Sequence, residues 1–179
     1  MSLIKAITLT EKCVKKGCEL PEPDNSNTLY LVIKQVYFEQ IIAGTKTKEY
    51  REVKYSTYKK YVKTEDDGSV MFSDAISDEE LSKYQCEDDL NIYNNGVCPL
   101  IPKNWCYLNL AVGYNKKRDT ALVEVVDITF EAETDKSGNV VRFDFDESNN
   151  VCFSPMGKLC LWIAVFHLGK VVKKEIVSK

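Results

Sequence analysis

The sequence predicts an α+β fold, built as a small, strongly bent β-sheet or barrel with short flanking helices. Segments rich in β-branched and aromatic residues recur along the chain, and a short helical pattern directly follows the first of them. An acidic stretch rich in turn residues separates these early elements from the later strands. With 179 residues, 44% of them hydrophobic, the chain is long enough to bury a core of its own.

The first elements lie between residues 29 and 53. LYLVIK (29–34) has the composition of a strand, and QVYFEQIIAG (35–44) places apolar residues at helical spacing. Gly44 marks the helix end, because glycine adopts a left-handed conformation without a Cβ clash. KTKEYREV (46–53) alternates between two faces and is predicted as a second strand.

The domain boundaries follow from composition. Residues 1–28 form a polar N-terminal extension that ends in a loop rich in proline, Asp and Asn. The domain itself is predicted over 29–179, with an acidic insertion at about 64–104. Within the insertion, SDEELSKY predicts a helix capped by Ser77 or Asp78, with acidic residues in its first turn.

The second half of the chain has β character. Strands are predicted in WCYLNLAVGY (105–114), TALVEVVDITFEAE (120–133) and NVVRFDF (139–145), joined by the turn sequences NKKRD and DKSGN. A last apolar run begins at Lys158 and is predicted to break at Gly169.

Charge and hydropathy exclude some classes of protein. The net charge of −3 and a pI of about 5.4 argue against coating of nucleic acid by bulk electrostatics, so any such contact must be local. No apolar run approaches the roughly 18 residues of a membrane-spanning helix, so no membrane partner is expected. The first residues lack the pattern of a secretory signal, and a cytoplasmic location is therefore expected.

The seven cysteines are an odd number and are predicted to be free thiols. Cys106, Cys152 and Cys160 stand among apolar residues and are predicted to be small core side chains. Cys13 and Cys18 have zinc-knuckle spacing, but no second close pair follows them. We therefore expect no metal and no cofactor. The single histidine lies in an apolar run and is interpreted as a core residue.

A cluster of charges follows the predicted helix. Lys46 can act as a point charge for phosphate or, if desolvated, as a general base. Arg51 offers a planar fork for phosphate, carboxylate or a nucleobase edge. Glu49 shares a strand face with Arg51 and can orient that fork or accept from an exocyclic amine. On charge pattern alone, a solvated pair at a sheet edge is the favoured interpretation, because such pairs are common and contribute little.

The stretch LYLVIKQVYFEQIIAGTKTKEYREV resembles the opening of ASCH domains. The strand, the helix and the family's G-x-K-x-x-E-x-R signature match this sequence at Gly44, Lys46, Glu49 and Arg51. The resemblance covers about 30–53 and 105–172, and the later strands look like the family's ending. It implies a PUA-like pseudo-barrel that binds RNA or a nucleotide-like ligand in a cleft lined by the signature residues.

Other residues are predicted to join this cleft. Lys34, near the end of the first strand, can add positive charge, and Tyr50 can offer a stacking surface. The basic cluster NKKRD, with Lys116 and Arg118, can meet a phosphate backbone, although a polar hairpin tip explains it equally well.

Two alternative functions stay open. Some proteins that resemble ASCH domains hydrolyse acetylated cytidine, which implies Lys46 as the base, while Glu49 stands where those members carry a threonine. Thr47 or a water activated by Lys46 would then supply the nucleophile, with Glu49, Glu131 or Glu133 as the acidic partner. The third hypothesis is a protein-interaction domain in which the acidic insertion contacts a partner.

Overall fold

The computed structural model describes residues 20–84 and 89–177. The helices are α1 (Gln35–Ile42), a 3-10 turn (Tyr58–Lys60) and α2 (Asp78–Leu81). The strands are β1 (Thr28–Ile33), β2 (Lys48–Glu52), β3 (Tyr107–Val112), β4 (Thr120–Ala132), β5 (Arg142–Phe145), β6 (Val151–Phe153), β7 (Leu159–Cys160) and β8 (Trp162–Glu175). Most of the predicted N-terminal extension, including Cys13 and Cys18, lies outside the described residues.

The described residues form two compact units. The α1 unit contains residues 20–49, 104–129 and 165–177. The α2 unit contains residues 50–84, 89–103 and 130–164. The strands β2, β4 and β8 contribute residues to both. No helix in the described part of the chain has the length and apolar character needed to cross a membrane.

The larger sheet has five strands in the order β1-β3-β4-β8-β2. β1 runs parallel to β3, which pairs in antiparallel register with β4. The mixture of strands and short helices confirms the predicted α+β class. The predicted barrel does not form, because in the described residues β1 and β2 are the two outer strands of an open sheet. β2 joins the sheet through β8 instead, where the Leu168 amide donates to the Thr47 carbonyl at 2.9 Å.

Alternation in β1 and periodicity in α1 build the core of the α1 unit. On β1, Leu29, Leu31 and Ile33 are buried, whereas Tyr30 points to the exposed face. α1 buries Phe38 and Ile41, as its apolar spacing predicts. Leu108, Leu110, Val123 and Phe166 complete the interior from β3, β4 and β8. This packing fixes both ends of α1 and the chain that leaves it.

The α2 unit contains a three-stranded sheet in the order β6-β5-β7. The acidic segment supplies buried apolar residues to this unit, namely Ile76, Leu90, Ile92 and Leu100. The buried Trp162 indole donates to the Ile92 carbonyl at 3.1 Å, which ties this segment to the start of β8. α2 begins as predicted, with the Ser77 hydroxyl accepting from the Glu80 amide at 3.2 Å.

One strand prediction was wrong, and one strand was missed. β8 continues through Gly169 without a break. A Cβ at Gly169 would lie 3.0 Å from side-chain atoms of both Glu124 and Val126, so the glycine permits close approach of β4 instead of ending the strand. β6 was not predicted, because all three of its residues are exposed and its pattern carries no burial signal.

The cysteines differ in their surroundings. Cys98, Cys106, Cys152 and Cys160 are free thiols in the structure, and Cys106 and Cys160 are buried as predicted. Cys152 is exposed, so its prediction as a core residue was wrong: it lies on β6, where no residue is buried. Burial raises the pKa of the Cys160 thiol to about 12.

We expect iodoacetamide at about pH 8 to alkylate Cys152 and to spare Cys160 in the folded protein. The thiolate is the reactive form, and a pKa of about 12 leaves about one Cys160 in ten thousand ionised at that pH. Resistance should persist until the pH approaches the raised pKa and should disappear on unfolding. Peptide mapping by mass spectrometry, before and after denaturation, measures both sites; equal native labelling would contradict this account.

Candidate functional site

The turn after α1 sets the position of the predicted site. Gly44 has a φ of +73°, its amide donates to the Ile41 carbonyl at 3.0 Å, and the Thr45 amide donates to the Gln40 carbonyl at 2.9 Å. These two bonds are the Schellman motif, which satisfies the last helical carbonyls and redirects the chain. The Lys46 amide also donates to Gln40, at 3.1 Å. The backbone of Lys46 is therefore held directly against the end of α1.

Lys46 and Glu49 form an ion pair at this turn. The Lys46 Nζ atom lies 3.0 Å from Glu49 Oε2, and the two side chains are 17% and 4% exposed. The Lys46 ammonium also donates to the Lys48 carbonyl. A pair this well covered differs from a solvated strand-edge pair, since little water competes for either charge. Glu49 therefore fixes the position of the ammonium.

An exposed tyrosine lies beside this pair. Tyr37, on α1, is 43% exposed, and the Lys46 Nζ atom lies 5.5 Å from the centroid of its ring. This distance is within the range of a cation–π contact. Sequence reasoning missed Tyr37, which lies at the flank of the buried stripe of α1, one turn before Ile41, and is 43% exposed.

Two other predicted site residues, Lys34 and Arg51, make different contacts. Lys34 is exposed at the N-cap position of α1, where its carbonyl accepts from the Tyr37 and Phe38 amides at 3.1 Å. Arg51 belongs to the α2 unit, and its guanidinium donates to the Tyr50 carbonyl at 3.2 Å. The structure joins Lys46 and Glu49 directly.

The basic cluster lies in the turn between β3 and β4, as the hairpin interpretation predicts. Lys116 is exposed, whereas Arg118 is half-buried and donates to the Gly113 carbonyl at 3.2 Å. The Arg118 guanidinium carbon lies 5.8 Å from the ring centroid of Tyr30, which is 46% exposed. The α1 unit thus has a second exposed tyrosine beside a cation.

A buried carboxylate connects this hairpin to α1. Asp119 is 2% exposed and accepts from the Gln35 amide nitrogen at 3.0 Å and from the Val177 backbone amide at 2.7 Å. Its partners are 84 and 58 residues away in the sequence, so no local pattern could have revealed this role. Asp119 positions the start of α1 and the end of the hairpin relative to each other.

The hydrolase hypothesis draws on residues of both units. Thr47 is exposed, and Glu131 and Glu133 belong to the α2 unit. His167 is half-buried, and its Nε2 atom lies 2.9 Å from the Thr129 hydroxyl, consistent with a structural histidine. In residues 20–84 and 89–177, no group of three His, Cys, Asp or Glu side chains has the geometry to hold a metal ion.

The arrangement at the α1–β2 turn is suited to recognition of a planar group. It combines a fixed ammonium, a covered carboxylate and an exposed aromatic face within one unit. Comparison of the chain with family models, with curated proteins and with solved structures finds no match.

Proposed function

We propose that this chain is an RNA-binding protein of the ASCH type, with a PUA-like fold, that binds unpaired nucleobases at the α1–β2 turn. The observation that carries the proposal is the Lys46 ammonium, held by Glu49 at 3.0 Å beside the exposed ring of Tyr37. The match of Gly44, Lys46 and Glu49 to the family signature supports the same site.

Stacking supplies the affinity in this proposal. A nucleobase that lies on an aromatic side chain gains about 1 to 3 kcal/mol, and the gain tolerates different bases because each has a π-face. Tyr37 offers such a face, and the neighbouring ammonium can bind the phosphate or the carbonyl oxygens of the same nucleotide. The ligand is single-stranded, because bases in a duplex are already stacked on each other.

Tyr30 and Arg118 provide a second contact of the same kind in the α1 unit. Two aromatic contacts with local cations explain how a chain of net charge −3 can bind a polyanion without a basic surface overall. Lys116, exposed in the adjacent turn, adds a phosphate contact that positions the strand.

The proposal predicts that Tyr37→Ala weakens binding of single-stranded RNA by about 5-fold to 100-fold, as expected from loss of one stacked base. Tyr30→Ala should have a similar effect. Fluorescence anisotropy with a labelled RNA of about 12 nucleotides, at about 50 and 200 mM salt, measures affinity and its salt dependence. Both tyrosines are half exposed, so their loss should leave the fold intact.

Tyr55→Ala is the matched control, because Tyr55 is 53% exposed and belongs to the α2 unit. It should leave RNA affinity unchanged. Free cytidine and uridine, added as competitors, show whether the site recognises the base alone or needs the phosphate backbone. Absence of saturable RNA binding, or an equal loss with Tyr55→Ala, would reject the proposal.

A further inference from the structure

The α2 unit contains a cleft of about 780 Å³. Its lining includes Tyr93, Asn139, Arg142, Phe153 and Ser154, all of which belong to this unit. Small-molecule sites in proteins typically have volumes of roughly 300 to 1,000 Å³ and combine aromatic walls with a few polar groups. Nothing in the sequence patterns pointed to this cleft, because its residues come from separate segments of the chain.

Arg142 is the cation of the cleft. Its guanidinium carbon lies 5.2 Å from the ring centroid of Tyr93, within the range of a cation–π contact. Its carbonyl accepts from the Ser154 amide at 3.1 Å, which fixes the backbone. Among the described residues, no carboxylate or carbonyl accepts from its guanidinium. The fork is therefore available to an anion from solution.

Phe153 is the exposed aromatic wall. It is 72% exposed, although it lies opposite the buried Phe143 in the β5–β6 register. The two ring centroids are 6.2 Å apart with an interplanar angle of 65°, so the edge of one ring contacts the other. This contact orients the Phe153 ring while leaving much of its surface open for a ligand to cover.

One carboxylate, that of Asp135, also lies in the lining of the cleft. Asp135 accepts from the amides of Ser137 at 2.8 Å and Asn139 at 2.9 Å, within its own turn. These backbone hydrogen bonds, that from Asn139 first, lower the pKa of the Asp135 carboxyl. Asp135 is therefore ionised, and Arg142 must hold a bound anion against its repulsion.

We propose that this cleft binds a small aromatic anion, with its carboxylate or phosphate on Arg142 and its ring against Phe153. An arginine fork pairs with either anion through two parallel hydrogen bonds, and the exposed phenylalanine ring accepts a planar group by stacking. The Ser154 hydroxyl, which also lines the cleft, can donate a further hydrogen bond to the anion. The site lies in the α2 unit and does not depend on the proposed RNA contact of the α1 unit.

We test the proposal by titrating the full chain with three probes and measuring binding by calorimetry and by saturation-transfer NMR. Adenosine monophosphate carries the phosphate, indole-3-acetate carries the carboxylate, and adenosine has a ring without an anion. We expect at least one anion to bind saturably and about 10-fold or more tightly than adenosine, because the charged hydrogen bonds to Arg142 are lost with the neutral probe. Binding of adenosine as tight as that of both anions, or no binding of either anion, would overturn the proposal.

Variants locate the binding in the cleft. Arg142→Leu should lower the affinity for the anion by about 10-fold or more. The affinity of Arg142→Lys should lie between that of Arg142→Leu and that of the wild type, since lysine keeps the charge but lacks the planar fork. Phe153→Ala should lower the affinity by about 5-fold or more and leave the fold intact, because the ring is largely exposed. The matched control is Lys63→Leu, an exposed cation of the same unit outside the cleft lining, which should bind normally.

Thermal unfolding of each variant separates loss of binding from loss of fold. If Arg142→Leu unfolds, Phe153→Ala decides the outcome, because its ring does not belong to the buried core. If the single variants Phe153→Ala and Arg142→Lys both bind the anion with wild-type affinity, the anion binds elsewhere. That result would overturn the assignment of this cleft.

Discussion

Lys46→Met is expected to lower the free energy of unfolding by about 3 kcal/mol, because it removes the ammonium that lies 3.0 Å from the covered Glu49 carboxylate. Glu49 is 4% exposed at its side chain, so water cannot replace the lost ammonium easily. We place the value at the low end for a broken buried pair, since Lys46 itself is 17% exposed. Urea unfolding, followed by circular dichroism, measures the change.

A double-mutant cycle separates the pair from its surroundings. Glu49→Leu should also destabilise, whereas Lys46→Met combined with Glu49→Leu should be more stable than the sum of the single losses predicts. The matched control is Lys54→Met. Lys54 lies 2.8 Å from Glu52, but its side chain is 56% exposed, so we expect little measurable loss. Equal losses for Lys46→Met and Lys54→Met would show that burial of the first pair is energetically unimportant.

Gly157→Ala is expected to destabilise the α2 unit by about 3 kcal/mol, at the upper end of the range for overpacking. Gly157 is buried, and an added Cβ would lie 2.7 to 2.8 Å from the backbone N, C and O atoms of Phe143. Backbone atoms paired in a sheet cannot move aside as the end of a flexible side chain can. The substitution should therefore displace β5 from its neighbours.

Gly138→Ala is the control for the conformational cost of losing a glycine. Gly138 has a φ of +83°, and an added Cβ there meets nothing within 4 Å, so the expected loss is about 1 kcal/mol from the backbone alone. Denaturant unfolding measures the free energy of unfolding of both variants. It compares the steric clash in Gly157→Ala with the unfavourable φ in Gly138→Ala. A smaller loss in Gly157→Ala than in Gly138→Ala would contradict the packing account.

Local patterns predicted much of the secondary structure. The end of α1 at Gly44, the cap at Ser77 and the hairpin around Arg118 each depend on a few neighbouring residues, and the structure contains all three. The proximity of Lys46 and Glu49 is also a local matter, because they are three residues apart at the start of a strand. The sequence therefore predicted that the charges of Lys46 and Glu49 would lie close together.

Long-range pairings could not be predicted in the same way. In the open sheet β1 pairs with β3 and β2 pairs with β8. The local composition of a strand does not specify its partner. Asp119 has partners far along the chain, and the cleft at Arg142 and Phe153 depends on β6, which has no periodic pattern. These features depend on tertiary packing, where residue spacing carries little information.

The position of β8 between β4 and β2 determines when the larger sheet can form. β2 is synthesised before its partner in the sheet, which follows more than a hundred residues later, as in the pairing of Thr47 with Leu168. β1 likewise cannot pair until β3 has been synthesised, because Leu29 lies opposite Leu108. Loop closure over such distances slows folding and leaves strand edges exposed on the nascent chain. The protein should therefore fold after synthesis of β8, and a ribosome-bound chain that lacks β8 should remain sensitive to protease.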